Sequence, residues 1–491
     1  MRRRRRSATS IPLAPGPDAV RALSSSAGAE PSARSHGWSG AQPHAGGIEL
    51  TRTLRIPVAC GVDLGSTNTK VVALDRSGAV VARASRPTPR DAELSVKAEA
   101  LFAVVEEMLI EVCGDVYSIH AVCVAGVGED GVLVDEDLRV LTSPLTWFDP
   151  RRRDIFRGLR DLLHDDESFD AETDAVRTLV GWSWAREQRA ARSARHWLAL
   201  TDLAAVRWTR RPFFSDTLAA RTSAWRSTDR RWASERVEVT LGSADLLPEV
   251  LTTGEIAGPL DSAMLRAADV VAPDAITVAG GHDHPIAGWG VRQMIPNAVL
   301  DSMGTAEVVV AEASVPAPRG AHVDVGPGIR SSGFTLLRVE ELARNVQWAS
   351  QNAAVADQIR AILVGRIESL PLWDSGIFLP GERGGGTPAF APDAPRDPLA
   401  LASAVLGALA RAGRDAVDAV GAPGGGVRLA GGWVRSPGWI EIKSAVHGTR
   451  AAPILEPEVT AVGAALLAAA ARGWAPDATL ALGGFSTEML G

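Results

Sequence analysis

The sequence predicts an α/β protein of two related halves that face each other across a cleft. Three observations carry this. From Ile56 onward, short strand-like runs are followed by runs with helical spacing. A hairpin built on small residues, Gly61-Val62-Asp63-Leu64-Gly65-Ser66-Thr67-Asn68-Thr69-Lys70, returns in altered form at 298–312. A chain of 491 residues is also too long for one core, so two large domains or three smaller ones are expected.

In chain order, residues 1–52 stand apart. Five arginines, Arg2 to Arg6, precede a Ser-, Ala-, Pro- and Gly-rich stretch without amphipathic period, which reads as a disordered extension. A first domain is expected over 53–297 and a second over 298–491. The first opens with an antiparallel meander of strands at 57–62, 69–75 and 79–86, the last two joined by Asp75-Arg76-Ser77-Gly78. Apolar residues at helical spacing (Leu101, Val104, Val105, Met108, Leu109, Val112) predict a helix over 92–113. A buried strand at 119–125 leads into the loop Gly126-Val127-Gly128-Glu129-Asp130-Gly131, whose carboxylates sit where a strand ends at a site. Trp147-Phe148-Asp149-Pro150-Arg151 starts another helix, with Pro150 in its first turn. The stretch 176–208 reads as helical, and its tryptophans (Trp182, Trp184, Trp197, Trp208) read as core rather than as sugar-stacking rings.

Two further segments carry chemistry. Val278-Ala279-Gly280-Gly281-His282-Asp283-His284 runs from an apolar strand through two glycines to a helix start, which exposes Asp283 as a general base. The flanking histidines lack partners at metal-ligand spacing; they read as neighbours of the base, with His284 touching substrate. In the second half, the turn Ser302-Met303-Gly304-Thr305 repeats the opening hairpin. Gly424-Gly425-Gly426 then leads to a strand at 427–430, Gly431-Gly432, and a helix from about Ser436 to His447. In the first hairpin Gly65 allows close approach of an anion, and Ser66, Thr67 and Thr69 offer donors to phosphate oxygens. Asp63 would repel a phosphate unless a cation lay between, which points to Mg²⁺ held mainly through water.

Composition excludes several classes. Apolar residues make 46% and charged residues 22% of the chain, as in ordinary globular proteins. The net charge of −7 argues against a general nucleic-acid binder. No apolar run approaches the roughly 20 residues that span a bilayer. The longest, Val459 to Ala471, reads as a buried helix. Cys60, Cys113 and Cys123 lie in apolar segments and read as reduced core residues of a cytoplasmic protein.

The ordered series Asp63-x-Gly65-Ser66-Thr67-Asn68-x-Lys70, Trp147-x-Asp149-x-Arg151, Gly280-Gly281-x-Asp283, Ser302-x-Gly304-Thr305 and Gly431-Gly432-x-x-x-Ser436 resembles the FGGY carbohydrate kinases over roughly residues 56–475. Phe378-Leu379-Pro380-Gly381-Glu382-Arg383 is similar to a further segment of that family, with a shorter spacer. The resemblance implies two RNase H-like domains of the actin, Hsp70 and sugar kinase type around a central cleft. It implies ATP and Mg²⁺, with Asp283 catalytic and Asp63 orienting the metal. Gly65, Ser66, Thr67, Asn68, Lys70, Gly304, Thr305, Gly431, Gly432 and Ser436 would hold the nucleotide. Glu129, Asp130, Asp149 and His284 would hold the sugar.

Departures shape the substrate. Many relatives carry Ser-Gly-Gln-Met-His-Gly where this chain has Gly126-Val127-Gly128-Glu129-Asp130-Gly131. Acids thus replace amide and imidazole, which weakens the case for xylulose itself while still favouring a neutral sugar or polyol over a sugar acid. Trp433 replaces a third glycine next to the expected adenosine. The expected partner is a small sugar or polyol, with no nucleic acid and no membrane, and a homodimer is left open. The competing readings are a catalytically silent sugar sensor and a non-kinase ATPase of the same fold.

Overall fold

The first sheet grows outward from β1 (Ile56–Leu64), in a computed structural model that describes residues 55–483 except 164–168, 170, 317–321, 382–385, 422–425 and 450–451. The expected extension at 1–52, Gly424, Gly425, Glu382 and Arg383 lie outside the described residues. β1 pairs antiparallel with β2 (Asn68–Asp75), which pairs antiparallel with β3 (Val80–Pro87), giving the expected meander. On its other side β1 runs parallel to β4 (Tyr117–Gly126). Between β3 and β4 lies α1, Ala98–Cys113. It starts six residues later than its apolar period suggested. The Asp91 carboxylate accepts from the amides of Glu93 and Ser95, and Leu94 takes a positive φ of 64°, so 91–95 closes as a turn instead.

Beyond β4 come α2 (Arg151–Leu159), α3 (Thr178–Arg186), α4 (Leu200–Thr209) and the short α5 (Asp216–Ala219). The continuous helix expected over 176–208 is therefore broken. His196–Ala199 pairs as a strand with Gly131–Val134, and this cross-strand pairing overrides local helical period around Trp197. Trp182, Trp197 and Trp208 are buried in the core as expected, whereas Trp184 is half-buried with Arg151 over its ring. The sheet ends with β5 (Ile256–Pro259) and β6 (Val271–His282), for an order β5-β6-β4-β1-β2-β3. Helix α6 (Asp283–Met294) follows β6 with no intervening loop.

The second sheet repeats the plan. β7 (Val299–Met303) and β8 (Ala306–Ala313) form its hairpin, with β9 (Asp324–Pro327) and β10 (Phe334–Glu341) beyond β8. The long α7 (Pro398–Val420) begins at Asp397, whose side chain caps the amide of Ala400. β11 (Val427–Ala430) then runs parallel to β7, giving the order β9-β10-β8-β7-β11. Thus β10-β8-β7-β11 has the same pairing senses as β3-β2-β1-β4.

Helix α8 (Pro437–His447) lies on the second sheet, but α9 (Val459–Ala471) returns to the first, packing on β1, β4 and α6. Val462, Leu466 and Leu467 are buried there, each contributing about 1.5–3 kcal/mol. Gly61 makes this possible, since a Cβ on it would lie 1.9 Å from the Ala461 carbonyl oxygen. Cys60, Cys113 and Cys123 are buried free thiols. No helix among the described residues is long and apolar enough to cross a membrane.

Candidate active site

Strand ends and hairpin turns from both sheets border one cleft of about 640 Å³, within the usual range for a small-molecule site. Its wall includes Asp63, Gly65, Ser66, Thr67, Asn68, Lys70, Glu129, Asp149, Asp283, His284, Gly304, Thr305, Gly431 and Gly432. Two residues expected at the site are not on that wall. Ser436 precedes α8, and Asp130 is buried behind Glu129 with a carboxylate oxygen 3.8 Å from the Arg152 guanidinium. Burial pushes the Asp130 carboxyl up to about 7, against the pull of Arg152.

Asp283 is the first residue of α6, where the helix dipole favours a carboxylate. Its Oδ1 accepts from the His284 amide at 2.7 Å, lies 2.6 Å from His284 Nδ1, and lies 3.3 Å from His282 Nε2. Oδ2 takes no hydrogen bond from the described residues. Burial opposes ionisation, yet the charge and hydrogen bond of His284, then the charge of His282, hold this carboxyl well below the usual range. Burial lowers His284 less than the Asp283 carboxylate raises it. His282, more dominated by burial, is pushed down to about 4 and stays neutral at pH 7. The three ligand-type atoms lie within 4.8 Å of one another, a spacing that this hydrogen-bonded clamp accounts for.

On the first hairpin, Asp63 faces Lys70 across the antiparallel register. Lys70 Nζ is 3.3 Å from Asp63 and 3.0 Å from Glu458, which precedes α9. Burial raises the Asp63 carboxyl, Lys70 opposes this, and the charge of Asp283 adds to it. Trp147 Nε1 donates to Ser66 Oγ at 2.9 Å, tying the loop before α2 to the hairpin. In that loop Asp149 receives Arg151 through hydrogen bonds of 2.6–3.1 Å, and these hold its carboxyl low against the cost of burial. Arg152, itself part of the cleft lining, is buried and donates to the carbonyls of Leu145, Thr146, Val176 and Arg177, so it braces the wall.

The sequence pattern did not reveal the partners of Glu129. Arg221 Nε donates to it at 2.8 Å, and Arg221 Nη1 donates to Asp324 on β9 at 2.6 Å. Burial would raise the Glu129 carboxyl, but the Arg221 charge holds it below its ordinary value. Arg221 follows α5 and Asp324 lies far downstream, so no local signal joined them. Trp433, read as a neighbour of the nucleotide base, donates its indole N–H to the Gly304 carbonyl at 3.0 Å and tilts against Trp439. It ties the Gly431-Gly432 turn to the second hairpin.

Comparison with known proteins places this geometry. Residues 58–290 match the FGGY family of carbohydrate kinases, N-terminal domain. The chain is 25% identical to the xylulose kinase of Escherichia coli (strain K12) over 428 residues, 79% of this chain and 84% of that one. It is 26% identical to the L-fuculokinase of the same strain over 290 residues, 56% of this chain and 59% of that one. The fold superposes on the ligand-bound xylulose kinase of Lactobacillus acidophilus with a TM-score of 0.74 at 17% identity, covering 88% of this chain and 92% of that one. The two-sheet architecture is thus the fold of sugar kinases, and residues 58–290 carry the match to the FGGY family of carbohydrate kinases.

Proposed function

We propose that the chain transfers a phosphoryl group from Mg²⁺-ATP to a hydroxyl of a small neutral sugar or polyol, a xylulose-like sugar being the best single candidate, with Asp283 as general base. The observation that carries this reading is the asymmetry of Asp283, one oxygen clamped by both histidines and the other, beside the cleft, taking no hydrogen bond from the described residues. A sugar hydroxyl at Oδ2 loses its proton to it as the new oxygen–phosphorus bond forms and the bond to the departing ADP oxygen breaks. The transition state is loose and the proton leaves late, so a weakly basic carboxylate serves.

The two hairpin turns, Gly65 to Asn68 with Lys70 and Gly304 with Thr305, are read as the phosphate cradle. Gly431, Gly432 and Ser436 are read as the adenosine side. In this reading 53–297 is the sugar-binding domain and 298–491 the nucleotide-binding one. The Mg²⁺ fits the donor set: Asp63 and Glu458 outnumber Lys70 at this end of the cleft, and both offer hard oxygen ligands. Asp63 would hold the ion through water, and when bound it neutralises phosphate charge. At the sugar end, Glu129 and Asp149 keep lone pairs for hydroxyls while Arg221 and Arg151 cancel their charge, which suits a neutral ligand. Similarity to xylulose kinases supports a xylulose-like sugar; the acid at Glu129 on the cleft wall widens the class to other sugars and polyols.

The test is ADP release by the full chain with Mg²⁺-ATP against a panel of sugars and polyols, beside Asp283→Asn. One compound class should raise turnover well above the blank. The variant should lose about 10²–10⁴-fold in kcat while ATP affinity stays within a few-fold. Substantial turnover by the variant removes Asp283 from the role of base. Sugars that raise the melting temperature without any ADP release would establish the sensor reading instead.

A further inference from the structure

The network behind Glu129 crosses between the two sheets. Glu129 lies in the loop after β4, Arg177 just before α3 and Arg221 just after α5, all connected to the first sheet. Asp324 is the first residue of β9, the edge strand of the second sheet. Its Oδ1 accepts from Arg177 at 2.7 Å and its Oδ2 from Arg221 at 2.6 Å. All four side chains are buried, Arg177 completely and Glu129, the most open, at 7%. Asp174 also lies 3.5 Å from Arg177, so each of the two guanidiniums is held between two carboxylates.

Only two of the four, Glu129 and Arg221, reach the cleft wall. Among the described residues, Asp324 touches the site through Arg221. That guanidinium is forked, with Nε and Nη2 on Glu129 and Nη1 on Asp324. A planar fork anchored at both ends cannot rotate without losing one partner. If Asp324 lost its charge, Arg221 would keep one carboxylate instead of two. It would then turn further onto Glu129 and consume the lone pairs that face the cleft.

We propose that Asp324 is a positioning residue for the sugar: a buried acid of the second sheet that fixes Arg221, and through it Glu129, so that both halves of the fold build the sugar subsite. The inference rests on the kinase reading above. It makes sugar affinity depend on a strand that lines no part of the cleft itself and comes from the opposite half to the other sugar-side residues.

The experiment compares the full-length wild-type chain with Asp324→Asn and Arg221→Lys, using the sugar that best raises ADP release. Asp324→Asn should raise the sugar KM about tenfold, in the range of couplings within one buried network, and leave ATP KM and kcat within about twofold. Arg221→Lys keeps the charge but its ammonium cannot bridge both acids, so its sugar KM should rise by a similar factor. A merely structural part for Asp324 would lower the melting temperature and the active fraction while the sugar KM stayed put; that result in both variants overturns the inference. If Asp324→Asn does not fold, Arg221→Lys decides alone. A wild-type chain that no sugar activates sinks the kinase reading and this inference with it, whereas wild-type turnover with unchanged sugar KM in the variants sinks this inference only.

Discussion

The two glycine-turn hairpins have the same strand plan and opposite chemistry. Aligned on their glycines, Ser302 in the second stands where Asp63 stands in the first, and both border the cleft. The acid of the second hairpin, Asp301, is one residue earlier. Side chains alternate along a strand, so that single step sends it to the other face. Leu300, Ser302 and Val308 line the cleft, while Asp301 and Glu307 lie under α8 with at most 1% exposure. There Lys443 reaches Asp301 at 2.8 Å and Glu307 at 2.5 Å. The first hairpin thus carries its ion pair at the site and the second carries its own in the core. The duplication preserves backbone, and register decides which acids are available for chemistry.

The lysines should separate the two most sharply. Lys443 is the cation on which two buried carboxylates converge, so Lys443→Met should cost about 3–5 kcal/mol and lower the denaturation midpoint strongly. Lys70 keeps 29% of its side chain exposed, and solvent screens its pairs. Lys70→Met should cost about 1 kcal/mol or less in stability. Equal shifts in the two midpoints would mean that the second cluster is as accessible to water as the first.

The pH dependence of stability gives a finer distinction. Burial, then the neighbouring charge of Asp301, pushes the Glu307 carboxyl up to about 8 although Lys443 pulls the other way. Unfolded, a glutamate titrates near 4.3. Between those values the folded chain holds a proton that the unfolded chain has released. This group's contribution to stability therefore falls as pH rises through the window, by up to about 1.4 kcal/mol per pH unit, and levels off above pH 8. Glu307→Gln should flatten that slope, read as a smaller difference in melting temperature between pH 6 and pH 8 than in the wild type. The slope should survive Asp63→Asn unless the two hairpins share their protons.

These clusters also mark what could be read from the sequence. The meander, the Asp283 strand-to-helix junction and the small-residue turns were legible because each is local: turn residues, period and a helix start lie within a dozen positions. The fold followed because five such pieces occur in order. Helix limits failed where long-range pairing won, as at His196–Ala199. The electrostatic frame was hidden for the same reason. Arg221 and Asp324 are 103 positions apart, and Lys443 and Glu307 are 136 apart. Nothing in the composition of either segment says which charge it will meet. His284 lines the cleft as its place beside the base suggests, but the sequence does not show that its Nδ1 lies within hydrogen-bonding distance of that base.

The smallest expected effect on stability lies at the second hairpin's turn glycine, Gly304, and its contrast with Gly65 makes the comparison most specific. A Cβ on Gly65 would come 2.7 Å from the Asn68 carbonyl oxygen, an atom fixed by the turn's own backbone bond from Gly65 N to that oxygen. Gly65→Ala must open the turn, at about 1–3 kcal/mol. A Cβ on Gly304 meets nothing within 4 Å, and Gly304 is exposed on the cleft wall. Gly304→Ala should therefore change stability by no more than about 0.5 kcal/mol. The space that its methyl group fills is the space in which the nucleotide phosphates are proposed to lie, so the ATP KM should rise while the sugar KM stays constant. An unchanged ATP KM with full stability would show that the phosphates do not approach this turn, and that the second hairpin repeats the first in shape alone.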